Sequence, residues 1–109
     1  MQNEQIFSKI DNLAKNNDVV LFMKGTAEIP MCGFSGIVVS ILNRLNAKFV
    51  DVNILEDNEL RQGIKDYSDW PTIPQLYIKG EFIGGCDIIK DMYEKGELKE
   101  LLESKNISC

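Results

Sequence analysis

The chain has 109 residues, a formal net charge of −5 and 44% hydrophobic residues, a composition that predicts one folded domain spanning 1–109. The negative charge and the lack of a lysine- or arginine-rich run argue against a general nucleic-acid-binding protein. Histidine is absent, which excludes a Ser-His or Cys-His catalytic pair within this chain.

The first half of the sequence predicts alternating helices and strands. Apolar residues at helical spacing predict a helix over 3–15, and the apolar run Val19–Met23 predicts a strand buried on both faces. An irregular loop at 24–31 precedes a second helix over 33–46. A second strand at 48–52 leads to a polar helix over 57–66, with Leu60 and Ile64 facing inward.

The second half opens with a rigid loop at 70–74 that contains two prolines. Strands at 75–78 and 81–83, joined through Lys79-Gly80, predict a hairpin. Helices over 88–94 and 98–102 complete the order α-β-α-β-α-β-β-α-α. This order predicts an α/β fold in which helices flank a mixed sheet of four strands.

Three widely spaced cysteines, Cys32, Cys86 and Cys109, match neither a zinc-ribbon nor a dithiol redox motif. Residues 1–17 are polar and resemble neither a secretory signal nor a transit peptide. Apolar stretches fall far below the ~20 residues that span a bilayer. An odd number of cysteines without a signal peptide is typical of a reducing compartment, so we expect a cytoplasmic protein with no membrane association.

Cys32 follows a strand and a loop and immediately precedes a helix. Its thiol is therefore predicted to lie near the unpaired N–H groups of the helix start, which favour the thiolate and lower the pKa. Lys24, at the end of the first strand, could add a positive charge nearby. A buried structural cysteine is the alternative, but Pro30 and the neighbouring Gly33 and Gly36 favour an exposed position.

Ser35, rather than a cysteine, stands three residues after Cys32. An external thiol or a distant cysteine must therefore resolve any mixed disulfide formed by Cys32. Cys86 is a candidate for that role, and a packed bystander is an equally good interpretation, while Cys109 is assigned no role. A 2Fe–2S cluster takes four thiolate or equivalent ligands, so two chains that each lend Cys32 would need two external thiols.

Four sequence blocks resemble, in order, the signature of single-domain monothiol glutaredoxins of the CGFS type. The blocks are KGT at 24–26, PMCGFS at 30–35, WPTIPQ at 70–75 and GGCD at 84–87. The resemblance covers nearly the whole chain and implies a thioredoxin-like fold. It also implies a glutathione site in which Cys32 meets the glutathione sulfur or a cluster iron.

The resemblance further implies roles for two cationic side chains and one backbone segment. Lys24 would lie beside these sulfurs and the glycyl carboxylate of glutathione, and a solvated strand-end lysine is the alternative. Arg61 would pair with the glycyl carboxylate. Ile73 would offer its backbone N–H and C=O to the cysteinyl part of glutathione, next to a cis Ile73–Pro74 bond.

At the far end of this site, the resemblance implies that Asp87 accepts the γ-glutamyl ammonium group. The N–H groups of Cys86 and Asp87 would receive the γ-glutamyl carboxylate. An Asp87 that caps the helix is the structural alternative, and both roles can coexist.

For function, the resemblance implies a protein that binds glutathione and a 2Fe–2S cluster shared between two subunits, as a homodimer when cluster-bound. Such a protein would carry the cluster to apo iron–sulfur acceptor proteins, take part in redox homeostasis and pair with a BolA-like protein. The alternative is a glutathione-dependent thiol–disulfide oxidoreductase. CGFS members are generally poor in assays of that activity, so we expect at most a weak enzyme.

Overall fold

Helices and strands follow the predicted order throughout the part of the chain that the computed structural model describes, residues 2–107. Each predicted element is present, and a short 3-10 helix, Ile54–Glu56, is an addition. The elements are α1 (Gln2–Asn16), β1 (Val19–Met23), α2 (Gly33–Arg44), β2 (Val50–Asn53), α3 (Asn58–Ser68), β3 (Gln75–Ile78), β4 (Glu81–Gly84), α4 (Cys86–Glu94) and α5 (Glu97–Ser104).

Several element boundaries differ from the prediction by one or two residues, and for α2 and α4 local backbone geometry explains the difference. Helix α2 ends at Arg44 rather than 46, since Asn46 adopts a left-handed φ of 56° that terminates the helix. Helix α4 begins at Cys86 rather than 88, because Gly85 already occupies the N-cap position in extended conformation. This earlier start places the first turn of α4 directly after the hairpin.

The sheet is mixed and has four strands, as predicted, and the structure gives their order as β2-β1-β3-β4. Strand β1 runs parallel to β2 and antiparallel to β3, and β3 runs antiparallel to β4. Helix α2 makes the crossover between the two parallel strands, as a parallel pair requires.

Strand β1 is buried on both faces, which explains its continuous apolar sequence. Val19, Leu21 and Met23 join the core cluster that includes residues of α2, α4 and α5. Val20 and Phe22 point the other way and join the cluster formed with α1 and α3. Among the helices described between residues 2 and 107, none is long and apolar enough to cross a membrane.

The strand pairing brings several chain segments together at one end of the sheet. Phe22, near the end of β1, pairs with Gln75, the first residue of β3. The loop that follows β1 and the loop that precedes β3 therefore leave the sheet side by side. On the other side of β3, Leu76 pairs with Gly84, so α4 also begins at this end.

Candidate functional site

A cavity of about 450 Å³ lies at this end of the sheet. Its lining includes Lys24 and Cys32 from the first loop, Phe34 from α2 and Lys65 from α3. The remaining lining comes from the backbone segments 70–74 and 85–88. A larger, shallow groove of about 770 Å³ runs along α1, but its lining contains no thiol and none of the predicted site residues.

Cys32 occupies the N-cap position of α2 in extended conformation, half-buried and free of any disulfide. The sulfur makes no short capping hydrogen bond. The backbone N–H of Ser35 nevertheless makes the largest contribution to lowering the pKa of the Cys32 thiol, and the N–H of Phe34 and the charge of Lys24 add to it. Partial burial opposes the shift without cancelling it. The Cys32 thiol therefore lies at the helix start, where its sequence position predicts it, and its pKa is lowered there.

Ser35 links the end of β1 to the first turn of α2. Its side chain is fully buried, and its Oγ accepts a hydrogen bond from the backbone N–H of Lys24 at 3.1 Å. The same hydroxyl also lowers the pKa of Cys32. The residue that replaces a second cysteine in the motif thus holds Lys24 and Cys32 on the same side of the cavity.

The loop between Lys24 and Cys32 is held against strand β2. The Gly25 N–H donates to Asn53 Oδ1 at 3.0 Å, and the Ala27 N–H donates to Asp51 Oδ2 at 2.8 Å. The loop also closes on itself, because the Met31 N–H donates to the Lys24 carbonyl at 2.9 Å. These contacts fix the direction in which the chain enters α2.

The opposite wall of the cavity is the segment 70–74. The Ile73–Pro74 peptide bond is cis, as the family resemblance implied, and Ile73 is buried against the cavity. The Trp70 ring lies 5.8 Å from the Phe82 ring, centroid to centroid. Trp70 Nε1 is buried and has no hydrogen-bond acceptor among the described residues. The indole packs so closely on Gly85 that a Cβ there would lie 3.2 Å from Nε1.

The start of α4 closes the far end of the cavity. Gly85 is the N-cap and has no side chain that could cap the helix. The first N–H groups of α4 therefore receive no side-chain capping hydrogen bond. Asp87 lies in the first helical turn and is exposed, so it is not the capping residue. Cys86 and Asp87 both line the cavity. The Asp87 carboxylate offers an acceptor to a bound molecule, and the uncapped backbone N–H groups at this helix start offer donors.

Cys86 shares the cavity with Cys32 but has the opposite acid–base character. Its thiol is free and half-buried, and burial is the main cause that raises its pKa. The charges of Asp87 and Cys32 add to the rise. The pKa of Cys86 is therefore shifted in the opposite direction to that of Cys32. Cys109 lies outside the described residues.

Five of the six predicted site residues line this cavity: Lys24, Cys32, Ile73, Cys86 and Asp87. The sixth, Arg61, lies on α3 and is not part of the cavity lining. Lys65, one helical turn further along α3, does line it. The prediction overlooked Lys65, although its spacing of four residues from Arg61 places both on one face of the helix. Within residues 2–107, no group of three or more histidine, cysteine or acidic side chains is arranged to hold a metal ion.

Differential alkylation tests the contrast between the two thiols. Because the pKa of Cys32 is lowered and that of Cys86 is raised, iodoacetamide is expected to modify Cys32 first at neutral pH. The Cys86 rate should rise only at more alkaline pH, since the thiolate is the reactive form. Peptide mass spectrometry over a pH series measures both rates. Equal rates at neutral pH would contradict the assignment.

Known proteins share both this sequence and this fold. The family profile described as Glutaredoxin matches residues 19–83. The probable monothiol glutaredoxin 2 of Rickettsia typhi is 58% identical over 96 residues, which cover 88% of this chain and 86% of that protein. The solution structure of reduced poplar apo GrxS14 is 54% identical, with a TM-score of 0.84 and coverage of 96% of this chain and 97% of that one.

A more distant likeness concerns the fold alone. The crystal structure of the buckwheat glutaredoxin–glutathione complex superposes with a TM-score of 0.87 at 22% identity, over 99% of this chain and 96% of that one. The strand order of the sheet, the position of the Cys32 thiol at a helix start and the sequence identity to these relatives all indicate the same family. The chain belongs to the glutaredoxin family, among its monothiol members.

Proposed function

We propose that this protein binds glutathione in the cavity and, as a homodimer, carries a bridging 2Fe–2S cluster that it transfers to apo iron–sulfur proteins. The observation that carries the proposal is the half-buried Cys32 with a lowered pKa, which lines a cavity that offers no second thiol with a lowered pKa among residues 2–107. A lone thiolate of this type is a cluster ligand that must recruit its partners from outside the chain.

The charges around the cavity fit glutathione. The molecule has a carboxylate at each end, an ammonium group near one end and a thiol in the middle. Lys24 and Lys65 supply positive charge along the cavity, and the uncapped start of α4 supplies N–H donors. Asp87 supplies a carboxylate to the lining, suited to an ammonium group. The buckwheat glutaredoxin was solved with glutathione bound, which supports the same ligand for this fold.

The cluster is the cargo in this proposal. Each chain would contribute Cys32, and the thiol of one bound glutathione would accompany it, so that two chains supply four sulfur ligands. Lys24 contributes positive charge near the Cys32 sulfur, which offsets the negative charge that gathers when thiolates converge.

Anaerobic reconstitution tests the proposal. The purified protein is mixed with ferrous iron, sulfide and glutathione, and its absorption spectrum and elution volume are recorded. We expect a coloured dimer that depends on glutathione, and a colourless monomer when glutathione is left out. A colourless monomer in the complete mixture would overturn the proposal.

Exposed apolar side chains beside Cys32 support docking of partner proteins at the same face. Ile29 and Met31, in the loop before α2, are 68% and 66% exposed, and Phe34, in the first turn of α2, is 60% exposed. Such side chains near a ligand site are typical of a contact surface. We extend the proposal to a BolA-like protein and to acceptor proteins in the cytoplasm. Pull-down with and without glutathione, after cell fractionation, tests the partners and the compartment.

Glutathione-dependent thiol–disulfide exchange is the second candidate, and the lowered pKa of Cys32 favours it. In that reaction the Cys32 thiolate would attack the glutathione sulfur of a glutathionylated protein. The disulfide between that protein and glutathione would break, and the protein would leave as a thiolate. A second glutathione would then attack the Cys32 mixed disulfide, which restores Cys32 and releases oxidised glutathione. A glutathione-coupled reductase assay separates the candidates, because robust turnover favours the enzyme.

Lys65 provides a quantitative test of the glutathione site. Replacing Lys65 by glutamine is expected to weaken glutathione binding about two- to fivefold, the effect of losing one partly screened charge contact. Titration calorimetry at two salt concentrations measures the loss, which should shrink at high salt. Arg61→Gln is the matched variant on the same helix, and an equal loss there would extend the site to Arg61. Unchanged binding by Lys65→Gln would contradict this part of the site.

A further inference from the structure

Gln75 is a buried polar residue in an otherwise apolar strand. It begins β3, where Leu76, Tyr77 and Ile78 follow it, and its side chain is 0% exposed. A buried amide is costly unless each of its polar atoms finds a partner. The partners of Gln75 therefore reveal why the strand carries an amide at this position.

The Gln75 side chain is satisfied by the loop that forms the cavity wall. Nε2 donates to the Trp70 carbonyl and to the Thr72 carbonyl, each at 3.2 Å. Oε1 accepts a hydrogen bond from the Tyr77 hydroxyl at 3.3 Å. Both amide hydrogens are thus directed at backbone carbonyls of the segment 70–74 rather than at the core.

The contact with Thr72 determines the orientation of the next peptide group. The Thr72–Ile73 bond is a trans peptide, because the cis bond of this segment is Ile73–Pro74. In a planar trans peptide the C=O and the following N–H point in opposite directions. Since the Thr72 C=O points inward to Gln75, the Ile73 N–H points away from the buried amide, on the side of the cavity that Ile73 lines.

The Ile73 N–H has no acceptor among the described residues 2–107, although Ile73 is only 6% exposed. Backbone donors in folded proteins nearly always have a partner, so an N–H on the cavity side that lacks one within the protein is available to an acceptor from outside the chain. The open donor and the buried amide lie on opposite faces of the same peptide group. Their combination carries the inference.

We propose that Gln75 is a positioning residue for ligand binding, which holds the 70–74 loop so that the Ile73 N–H faces the cavity. The inference rests on the proposed function, because the acceptor it assigns to this N–H is a backbone carbonyl of glutathione. Gln75 does not touch the ligand. It acts through the Thr72–Ile73 peptide, and an apolar side chain of the same size would fill the core without fixing that peptide.

Gln75→Met tests the proposal, since it keeps the length of the side chain and removes both donors. Glutathione affinity is expected to fall on the order of tenfold, the equivalent of losing one well-directed hydrogen bond and its geometry. The pH profile of Cys32 alkylation should stay unchanged, because the start of α2 is not altered. In the wild-type protein, the Ile73 amide resonance should shift on addition of reduced glutathione, and this shift should disappear in Gln75→Met.

Tyr77→Phe is the matched control. It removes the hydroxyl that donates to Gln75 Oε1 and so removes a buried hydrogen bond, but it leaves both donors to the loop in place. Tyr77→Phe should lower stability while glutathione affinity stays within about twofold of wild type. If both variants weaken binding in proportion to their loss of stability, Gln75 is merely structural and the proposal is overturned.

A second variant keeps the proposal testable should Gln75→Met fail to fold. Gln75→Asn retains the amide but is one methylene shorter, so it cannot reach both carbonyls, and an intermediate loss of affinity is expected. An Ile73 amide that does not respond to glutathione in the wild-type protein overturns the proposal directly. Wild-type protein that binds no glutathione at all sinks the proposed function, whereas equal binding by wild type and Gln75→Met sinks only the role of Gln75.

Discussion

Replacing Cys32 by serine is expected to abolish both the mixed disulfide with glutathione and the cluster-bound dimer. Serine keeps the shape of the side chain and the start of α2, but its oxygen stays protonated and forms no disulfide. With oxidised glutathione, the wild-type Cys32 thiolate forms a new S–S bond, the old S–S bond breaks and one glutathione leaves as a thiolate. Intact-mass spectrometry measures this adduct, and absorption with gel filtration measures the dimer.

The other two cysteines separate a specific loss from a general one. Cys109→Ser makes the same atomic change at a cysteine that is assigned no role. It should leave the adduct and the dimer intact. Cys86→Ser keeps the backbone N–H at the start of α4 and removes only the thiol, so it reports whether Cys86 resolves a Cys32 disulfide. A Cys32→Ser protein that still forms a coloured dimer would show that another residue holds the cluster.

The order of elements could be predicted from the sequence because buried faces of helices and strands place apolar residues at regular spacing. Strand β1 is apolar at every position because neighbouring residues, such as Leu21 and Phe22, point to opposite faces of the sheet and join different core clusters. The helix ends were predicted less well, because they depend on single residues. Asn46 stops α2 by adopting a left-handed backbone, a conformation that asparagine tolerates but that its sequence position does not reveal.

The candidate site shows the same division between local pattern and long-range contact. Cys32 was predictable because a thiol directly before a helix has a defined electrostatic environment. Lys65 and Gln75 were not, since their importance arises only when α3 and β3 are packed beside the loop 70–74. Lys65 shares a helix face with Arg61, but nothing along the chain shows that Lys65 is the residue of this face that lines the cavity. Gln75 stands at the start of a strand, where a solvent-facing amide is the usual interpretation.

Gly25→Ala is expected to destabilise the protein by on the order of 2–4 kcal/mol, for two independent reasons. Gly25 has a φ of +88°, a conformation that residues with a Cβ rarely adopt. An added Cβ would also lie 2.6 Å from the carbonyl oxygen of Ile29 and close to the Met31 N–H, both backbone groups. Because the Gly25 N–H also binds Asn53, the strain falls on the loop that positions Cys32.

Thermal unfolding measures this cost, and the midpoint should fall by roughly 10–20 °C. Gly33→Ala is the matched control, since it lies next to Cys32 and a Cβ there would meet no atom within 4 Å. Gly33 opens α2, so alanine at that position should leave stability unchanged or raise it slightly. If Gly25→Ala and Gly33→Ala unfold at the same temperature, the backbone of the Cys32 loop does not depend on a glycine at position 25. The loop would then have room to reshape around an alanine while its hydrogen bonds to Asn53 and Asp51 of β2 still direct the chain into α2.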